Sequence, residues 1–145
     1  MGSVNKIVTV TAKKGKIAYL EIEVDGKLLA HHFAGKQGAH PSQISPLGWS
    51  SSSPDYRAKV VNQFLAQSSC KLDSGRVPVL VCEECGDIAC GAITVRILRE
   101  PDRIVWTDWF YENGQEPGYS LEWPIQPGDF VFNLNAYDAE IRKAL

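Results

Sequence analysis

Three cysteines lie close together in this chain, at Cys82, Cys85 and Cys90. The spacing Cys-x-x-Cys followed by Gly resembles a zinc knuckle, in which two thiolates bind one ion and the glycine relieves the tight turn between them. On this hypothesis Cys90 is a third ligand, and Cys70 or a histidine is the fourth. The histidine candidates are His31, His32 and His40. Structural zinc sites usually contain a second close pair of ligands, and this sequence has no such pair.

The same motif supports two other interpretations. Cys82 and Cys85 could form a redox dithiol, but a strand rather than a helix N-terminus is predicted after them, and acidic neighbours disfavour the thiolate that redox chemistry requires. In the third interpretation the cysteines are small buried hydrophobic residues. Gly86 and Gly91 then supply positive φ angles, and the Asp87 carboxylate closes a local turn. The residues alone leave all three interpretations open.

A second segment of interest, Trp106 to Trp123, combines aromatic and acidic side chains. In a regular strand, successive side chains alternate between the two faces, so Trp106 and Trp109 are expected on opposite faces. One aromatic face can fill the core, and the other can anchor a partner that has a basic groove. The alternative is that the second face packs under a helix. The candidate partner-binding residues are Trp106, Asp108, Trp109, Tyr111, Glu112, Glu116 and Trp123.

The charge distribution also favours a basic partner. Residues 1–72 contain 9 basic and 4 acidic side chains, whereas residues 73–145 contain 6 and 13. No Lys or Arg occurs between Ile104 and Ile141, a stretch with seven carboxylates. The net charge of -2 provides no positive field that would attract nucleic acid or anionic lipid. We therefore expect neither nucleic acid nor membrane among the partners.

Catalytic signatures and sorting signals are missing from the sequence. His40 stands near several serines, but nothing identifies an acid that would orient it, and no phosphate-binding or zincin motif occurs. We therefore expect no enzymatic activity. The first residues lack the apolar run of a signal peptide, and no segment approaches the roughly 20 apolar residues of a membrane span. These features predict a cytoplasmic protein with reduced cysteines.

The first half of the chain is predicted to form three strands and one helix. Strands are predicted over 6–12, 17–24 and 27–33, and the turn Asp25-Gly26 joins the last two. This register places Leu29 opposite Ile22, with Tyr19 facing outward. A long polar connection, 35–53, leads to a helix that has Ser53 as its N-cap and ends near residue 68.

The second half repeats the strand pattern. Strands are predicted over 77–81, 92–98, 104–110 and 130–132, followed by a final helix capped by Asn135. The length of 145 residues suits one domain. The prediction is a single α+β domain over residues 1–145, with an antiparallel sheet built from two meanders and with two helices.

The run Cys85-Gly86-Asp87-Ile88-Ala89-Cys90-Gly91 resembles the core motif, Cys-Gly-Asp-x-x-Cys-Gly, of a family of small uncharacterised bacterial proteins. Further segments fit it, namely Pro46-Leu47-Gly48-Trp49, Val105-Trp106-Thr107-Asp108, Tyr111-Glu112 and Phe130-Val131-Phe132. Some members carry an oxidoreductase label, for which this chain has no cofactor motif. The resemblance implies a small acidic protein of the kind that acts as the immunity partner of a bacterial toxin.

The leading hypothesis is therefore a non-enzymatic binding protein, an immunity protein that neutralises a bacterial toxin or effector domain through its acidic aromatic segment. The alternative is a small zinc-binding or thiol-redox protein centred on Cys82, Cys85 and Cys90.

Overall fold

Eight strands and two α-helices follow one another in the residues that the computed structural model describes, namely 4–33, 43–67, 75–82, 91–113, 120–124 and 128–145. The strands are β1 Ile7–Lys14, β2 Ile17–Val24, β3 Lys27–Leu28, β4 Val77–Leu80, β5 Ala92–Arg99, β6 Arg103–Asn113, β7 Ser120–Pro124 and β8 Phe130–Asn133. The helices are α1 Pro54–Phe64 and α2 Leu134–Arg142. Two antiparallel sheets and two helices make the chain an α+β domain, as the sequence predicts.

The first sheet has the order β1-β2-β3. The turn between β2 and β3 is the predicted one, Asp25-Gly26. Asp25 and Gly26 have φ angles of 56° and 78°, as a type I′ hairpin requires. The predicted length of β3 is wrong, because a 3-10 helix, Leu29–Phe33, follows Leu28. A strand would have placed His31 on the same face as Leu29 and Phe33. The helical turn instead buries the two apolar side chains and leaves His31 exposed.

Tyr19 also differs from the prediction, because it is buried rather than turned to solvent. The segment 43–50 runs along this part of β2, where the Leu20 N–H donates to the carbonyl of Leu47 and the Ser50 N–H to that of Ala18. The segment 43–50 therefore pairs with the edge of β2 beside Tyr19. Tyr19 belongs to a small second core with Ile44, Trp49, Val81 and Ala92.

In the second sheet β6 is the central strand. Its neighbours are β5 on one side and, on the other, β8 along Arg103–Trp106 and β7 along Phe110–Asn113. The sequence analysis did not predict β7. The two sheets are joined at Asn5, whose N–H donates to the Val131 carbonyl at 2.6 Å.

Both helices begin at a side-chain cap. Ser53 accepts a hydrogen bond from the Tyr56 N–H at 3.1 Å, which confirms the predicted cap, although α1 ends at Phe64 rather than near residue 68. The predicted cap of α2 is wrong by two residues. Asn133, not Asn135, has the extended backbone of a cap, and its side chain accepts from the Ala136 N–H at 3.0 Å. No helix in the described part of the chain is long and apolar enough to cross a membrane.

Several polar contacts join the helix α2 to the rest of the molecule, among them those of Tyr137 and Glu140. The buried Tyr137 hydroxyl donates to the Phe64 carbonyl at 2.6 Å and accepts from Trp106 Nε1 at 3.1 Å. Burial raises the pKa of Tyr137 well above its ordinary value. Burial also acts to raise the pKa of Glu140, but hydrogen bonds from Lys143 and Thr9 outweigh it, so the pKa of this carboxyl lies below its ordinary value.

Candidate functional site

A β-bulge at Asp108 determines which way the acidic aromatic segment faces. Thr94 pairs with Phe110 and Arg96 with Thr107, so the single residue between them on β5 is opposite two residues on β6. Asp108 takes up the extra residue with a φ angle of 62°, in the left-handed region that few residues other than glycine adopt. The alternation of side chains therefore shifts by one residue after this point.

Because of this bulge, Trp106 and Trp109 lie on the same side of the sheet. The prediction that they occupy opposite faces is wrong. Both indoles are in the main core, 0% and 3% exposed, with ring centroids 5.8 Å apart. Trp109 also contacts Phe33 and donates from Nε1 to the Gly128 carbonyl at 2.6 Å. Neither indole can therefore act as an exposed anchor for a partner.

Glu112 is also buried, with no exposed surface, so it is not a contact residue. Its Oε2 accepts a hydrogen bond from the Thr94 hydroxyl at 2.5 Å, and Arg76 Nη1 lies 3.8 Å away. A carboxylate at this depth needs such partners, because burying an unpaired charge costs several kcal/mol. Glu112 thus belongs to a polar cluster inside the protein.

Among the predicted contact residues whose side chains the structure describes, Asp108 is the exposed one, with 39% of its side chain exposed. Arg76 Nη2 lies 2.6 Å from its Oδ2, and Arg96 Nε lies 3.4 Å from the same atom. Arg76 also donates from Nε to the Asp108 carbonyl and places its guanidinium 4.0 Å from the centre of the Phe110 ring. The two arginines stabilise the bulge and offset its backbone strain, which is of order 1–3 kcal/mol.

The remaining predicted contact residues have different surroundings. Tyr111 is half-buried, and its ring lies so close to Gly91 that a Cβ atom added there would come within 1.9 Å of the hydroxyl. Trp123 is on β7 at the register position opposite Tyr111. Glu116 lies outside the described residues.

Sequence reasoning missed the three polar residues that partner the two carboxylates, namely Arg76, Thr94 and Arg96. The only signal for them was that Thr94 and Arg96 alternate with apolar residues on β5. That alternation identifies the face on which their side chains lie. It does not identify the carboxylates across the strand pair.

The cysteine motif begins and ends at neighbouring strands. Cys82 is half-buried just after β4, Gly91 directly precedes β5, and these two strands pair in antiparallel. The other proposed thiol ligands, Cys70, Cys85 and Cys90, lie outside the described residues, as does His40. The described residues contain no group of three His, Cys, Asp or Glu side chains that could hold a metal ion.

The predicted strand over 27–33 would have placed His31 and His32 on opposite faces, but both belong to the 3-10 helix. His31 is exposed. The Nε2 atom of His32 lies 3.0 Å from the Val24 carbonyl, and its ring packs edge-on against Phe130. The surroundings of His32 are those of a structural residue.

Comparisons of the chain with protein-family models, with curated proteins and with solved structures found no match. The resemblance to the small bacterial family therefore stays a prediction. The function has to be argued from the residues and their arrangement.

Proposed function

We propose that this chain is a non-enzymatic binding protein, and specifically an immunity protein that neutralises a bacterial toxin or effector domain in the cytoplasm. The partner presents a basic surface, and the contact is the acidic hairpin formed by β6 and β7. The observation that supports this proposal most directly is the position of β7, which stands at the end of the strand order β4-β5-β6-β7. An edge strand offers backbone groups and side chains to a partner that a central strand cannot.

The charge of this hairpin supports a basic partner. Glu116 lies in the link between the strands and Glu122 lies on β7, and no Lys or Arg occurs between Ile104 and Ile141. Carboxylates concentrated in one segment accelerate association with a positively charged surface and fix its orientation. Trp123, at the register position opposite Tyr111, adds an aromatic residue of the kind that dominates binding energy at interfaces.

The bulge changes which residues we assign to the contact. Trp106, Trp109 and Glu112 build the interior, so the proposed contact residues are Glu116, Glu122 and Trp123. Substituting the buried residues would disturb folding and would say nothing about binding. A charge reversal at Asp108 has the same defect, because Arg76 and Arg96 hold its carboxylate in the bulge.

Co-purification with the product of the adjacent gene tests the proposal, followed by titration calorimetry at two salt concentrations. We expect Glu116→Lys and Glu122→Lys each to weaken the complex by about tenfold or more, and to reduce its salt dependence. The matched control is Asp102→Lys, which reverses an exposed charge in the turn at the other end of β6. Binding that the control weakens equally, no association with the neighbouring gene product, or substrate turnover by the isolated protein would contradict the proposal.

A second candidate function is zinc binding or thiol redox chemistry at Cys82, Cys85 and Cys90. The observation that favours it is the antiparallel pairing of β4 with β5, which anchors both ends of the motif at adjacent strand ends. Metal analysis of the purified chain distinguishes the two functions. Stoichiometric zinc that is lost in Cys85→Ser supports the second candidate, with Cys70→Ser testing the fourth ligand. The absence of zinc leaves the binding protein as the stronger proposal.

A further inference from the structure

The outer edge of β1, on the side away from β2, is covered along part of its length. Just before the strand, the Asn5 N–H donates to a carbonyl of β8 at 2.6 Å. Further along, the Thr9 N–H donates to Glu140 Oε1 at 2.7 Å. In the described part of the chain no strand pairs with this edge beyond Thr9, and both Thr11 and Lys13 are exposed. The second half of the edge is therefore accessible to another chain.

The backbone groups of Thr11 and Lys13 point to this accessible edge. In the register of β1 and β2, Thr11 is opposite Leu20 and Lys13 is opposite Ala18. The Leu20 N–H and the Ala18 carbonyl instead form hydrogen bonds with the segment 43–50, on the far side of β2. Because such pairs do not exchange hydrogen bonds, Thr11 and Lys13 direct their N–H and C=O groups away from β2. The edge thus presents these groups to an added strand.

The charge around this edge is positive. Before Glu21 the chain contains four lysines and no acidic residue. Lys13 and Lys16 are exposed and form no ion pair with the described residues. The carboxylate that caps the edge, Glu140, is neutralised by Lys143 at 2.9 Å, and Glu21 lies one strand farther away, on β2. The accessible part of the edge therefore attracts negative charge.

We propose that the accessible edge of β1 binds an extended, acidic segment of another protein by strand addition. The backbone of the added segment pairs with Thr11 and Lys13, and its carboxylates face Lys13 and Lys16. In this binding mode the main-chain hydrogen bonds provide affinity, and the complementary charges provide selectivity.

Charge is the reason to name an acidic segment rather than a second copy as the occupant. A second copy bound through the same edge would bring the lysines of two β1–β2 hairpins together, and like charges on adjacent strands are destabilising. Lysines on an edge strand discourage pairing with other strands in this way. With an acidic strand, the same lysines become attractive partners.

Hydrogen exchange of the full chain, followed residue by residue by NMR, tests the proposal with two short synthetic peptides blocked at both ends. One peptide alternates Glu and Val, and its matched counterpart alternates Lys and Val. We expect the Glu-Val peptide to slow exchange of the Thr11 and Lys13 N–H groups, and added salt to weaken this binding. The Lys-Val peptide should leave the exchange of both groups unchanged.

Two variants separate the backbone contribution from that of charge. Thr11→Pro removes an outward N–H without removing a hydrogen bond between β1 and β2, so it should weaken peptide binding by about fivefold or more. Thr11→Ala keeps the N–H and is its matched control. Lys13→Glu should also weaken binding by about fivefold or more, whereas Lys27→Glu, exposed on β3 at the other end of β2, should have little effect at physiological salt.

Failure of the Glu-Val peptide to bind, equal binding of the Lys-Val peptide, or binding that neither Thr11→Pro nor Lys13→Glu weakens would overturn the proposal. So would slow exchange of the Thr11 and Lys13 N–H groups caused by self-association, because a second copy would then be the occupant. Circular dichroism shows whether each variant is folded, and Lys13→Glu keeps the test valid if Thr11→Pro is not. The proposal does not rest on the proposed function, since it concerns the first sheet and is measured without a basic partner.

Discussion

Tyr137 offers the sharpest test of how this fold is stabilised, because one hydroxyl group serves two buried partners. Its Oη atom donates to the carbonyl of Phe64, in the last turn of α1, and accepts from Trp106 Nε1 on β6. The helix α2, the helix α1 and the central strand thus meet at one oxygen atom. Replacing Tyr137 with Phe removes that oxygen and leaves the ring that stacks on Phe132.

The expected loss of stability follows from the two groups that would be left without a partner. Tyr137 and Trp106 are 0% exposed, and the Phe64 residue is buried as well. A buried donor or acceptor that loses its partner costs about 1–3 kcal/mol. Two such groups give about 2–6 kcal/mol, a large part of the roughly 5–15 kcal/mol that a domain of this size has in total.

Urea unfolding of Tyr137→Phe measures this cost, and the midpoint should fall by about 1–3 M with an unchanged slope. Tyr56→Phe is the matched control, because Tyr56 is exposed on α1 and the loss of its hydroxyl should change the free energy of unfolding by less than about 0.5 kcal/mol. If Tyr137→Phe is as stable as the native chain, the two groups find other partners, and the reasoning from the shared hydroxyl is refuted.

Alkaline pH provides a second readout for the same residue. Burial raises the pKa of Tyr137 above its ordinary value of 10, so the folded chain retains a proton that the unfolded chain releases. The unfolded state then binds fewer protons, and stability falls as the pH rises above 10, by about 1.4 kcal/mol per pH unit at most. In Tyr137→Phe this contribution is missing, so the stability gap between the two proteins should narrow above pH 10.

Three further predictions concern other parts of the fold. Gly91→Ala should destabilise the chain by about 2 kcal/mol or more in thermal melts, because the new Cβ atom meets the Tyr111 hydroxyl and the φ angle of 92° is strained for alanine. Glu140→Gln should flatten the acid side of the stability curve: the lowered pKa of Glu140 contributes stability above pH 4.5 that is lost as the pH falls, and an unchanged curve would contradict this. Ser53→Ala should cost about 1 kcal/mol in urea unfolding, whereas Ser52→Ala, one residue outside the cap, should cost much less.

Local chemistry made much of the fold predictable from the sequence. The positive φ angles of Asp25 and Gly26 and the cap at Ser53 involve residues within a few positions of one another, and both predictions are confirmed. The end of β3 was predicted wrongly because tertiary burial decides it. Leu29 and Phe33 are buried together in a 3-10 turn, and a two-residue period cannot indicate that outcome.

The candidate site was less predictable, because one extra residue in a strand reverses the face to which each following side chain points. Strict alternation places Trp106 and Trp109 on opposite faces, and the bulge at Asp108 returns them to the same face. The partners that hold the bulge come from elsewhere in the chain, Arg76 from the residue before β4 and Arg96 from β5. A sequence pattern contains no information about such long-range pairs, so neither the bulge nor the burial of Glu112 could be inferred from it.

Four of the seven carboxylates between Ile104 and Ile141 have a place in the fold itself. Arginines pair with Asp108 and Asp138, Glu112 is buried, and Glu140 binds Thr9 and Lys143. Asp129 is exposed, and Glu116 and Glu122 belong to the acidic hairpin. Reversing the charge of Glu116 or Glu122 should therefore change the binding of a basic partner.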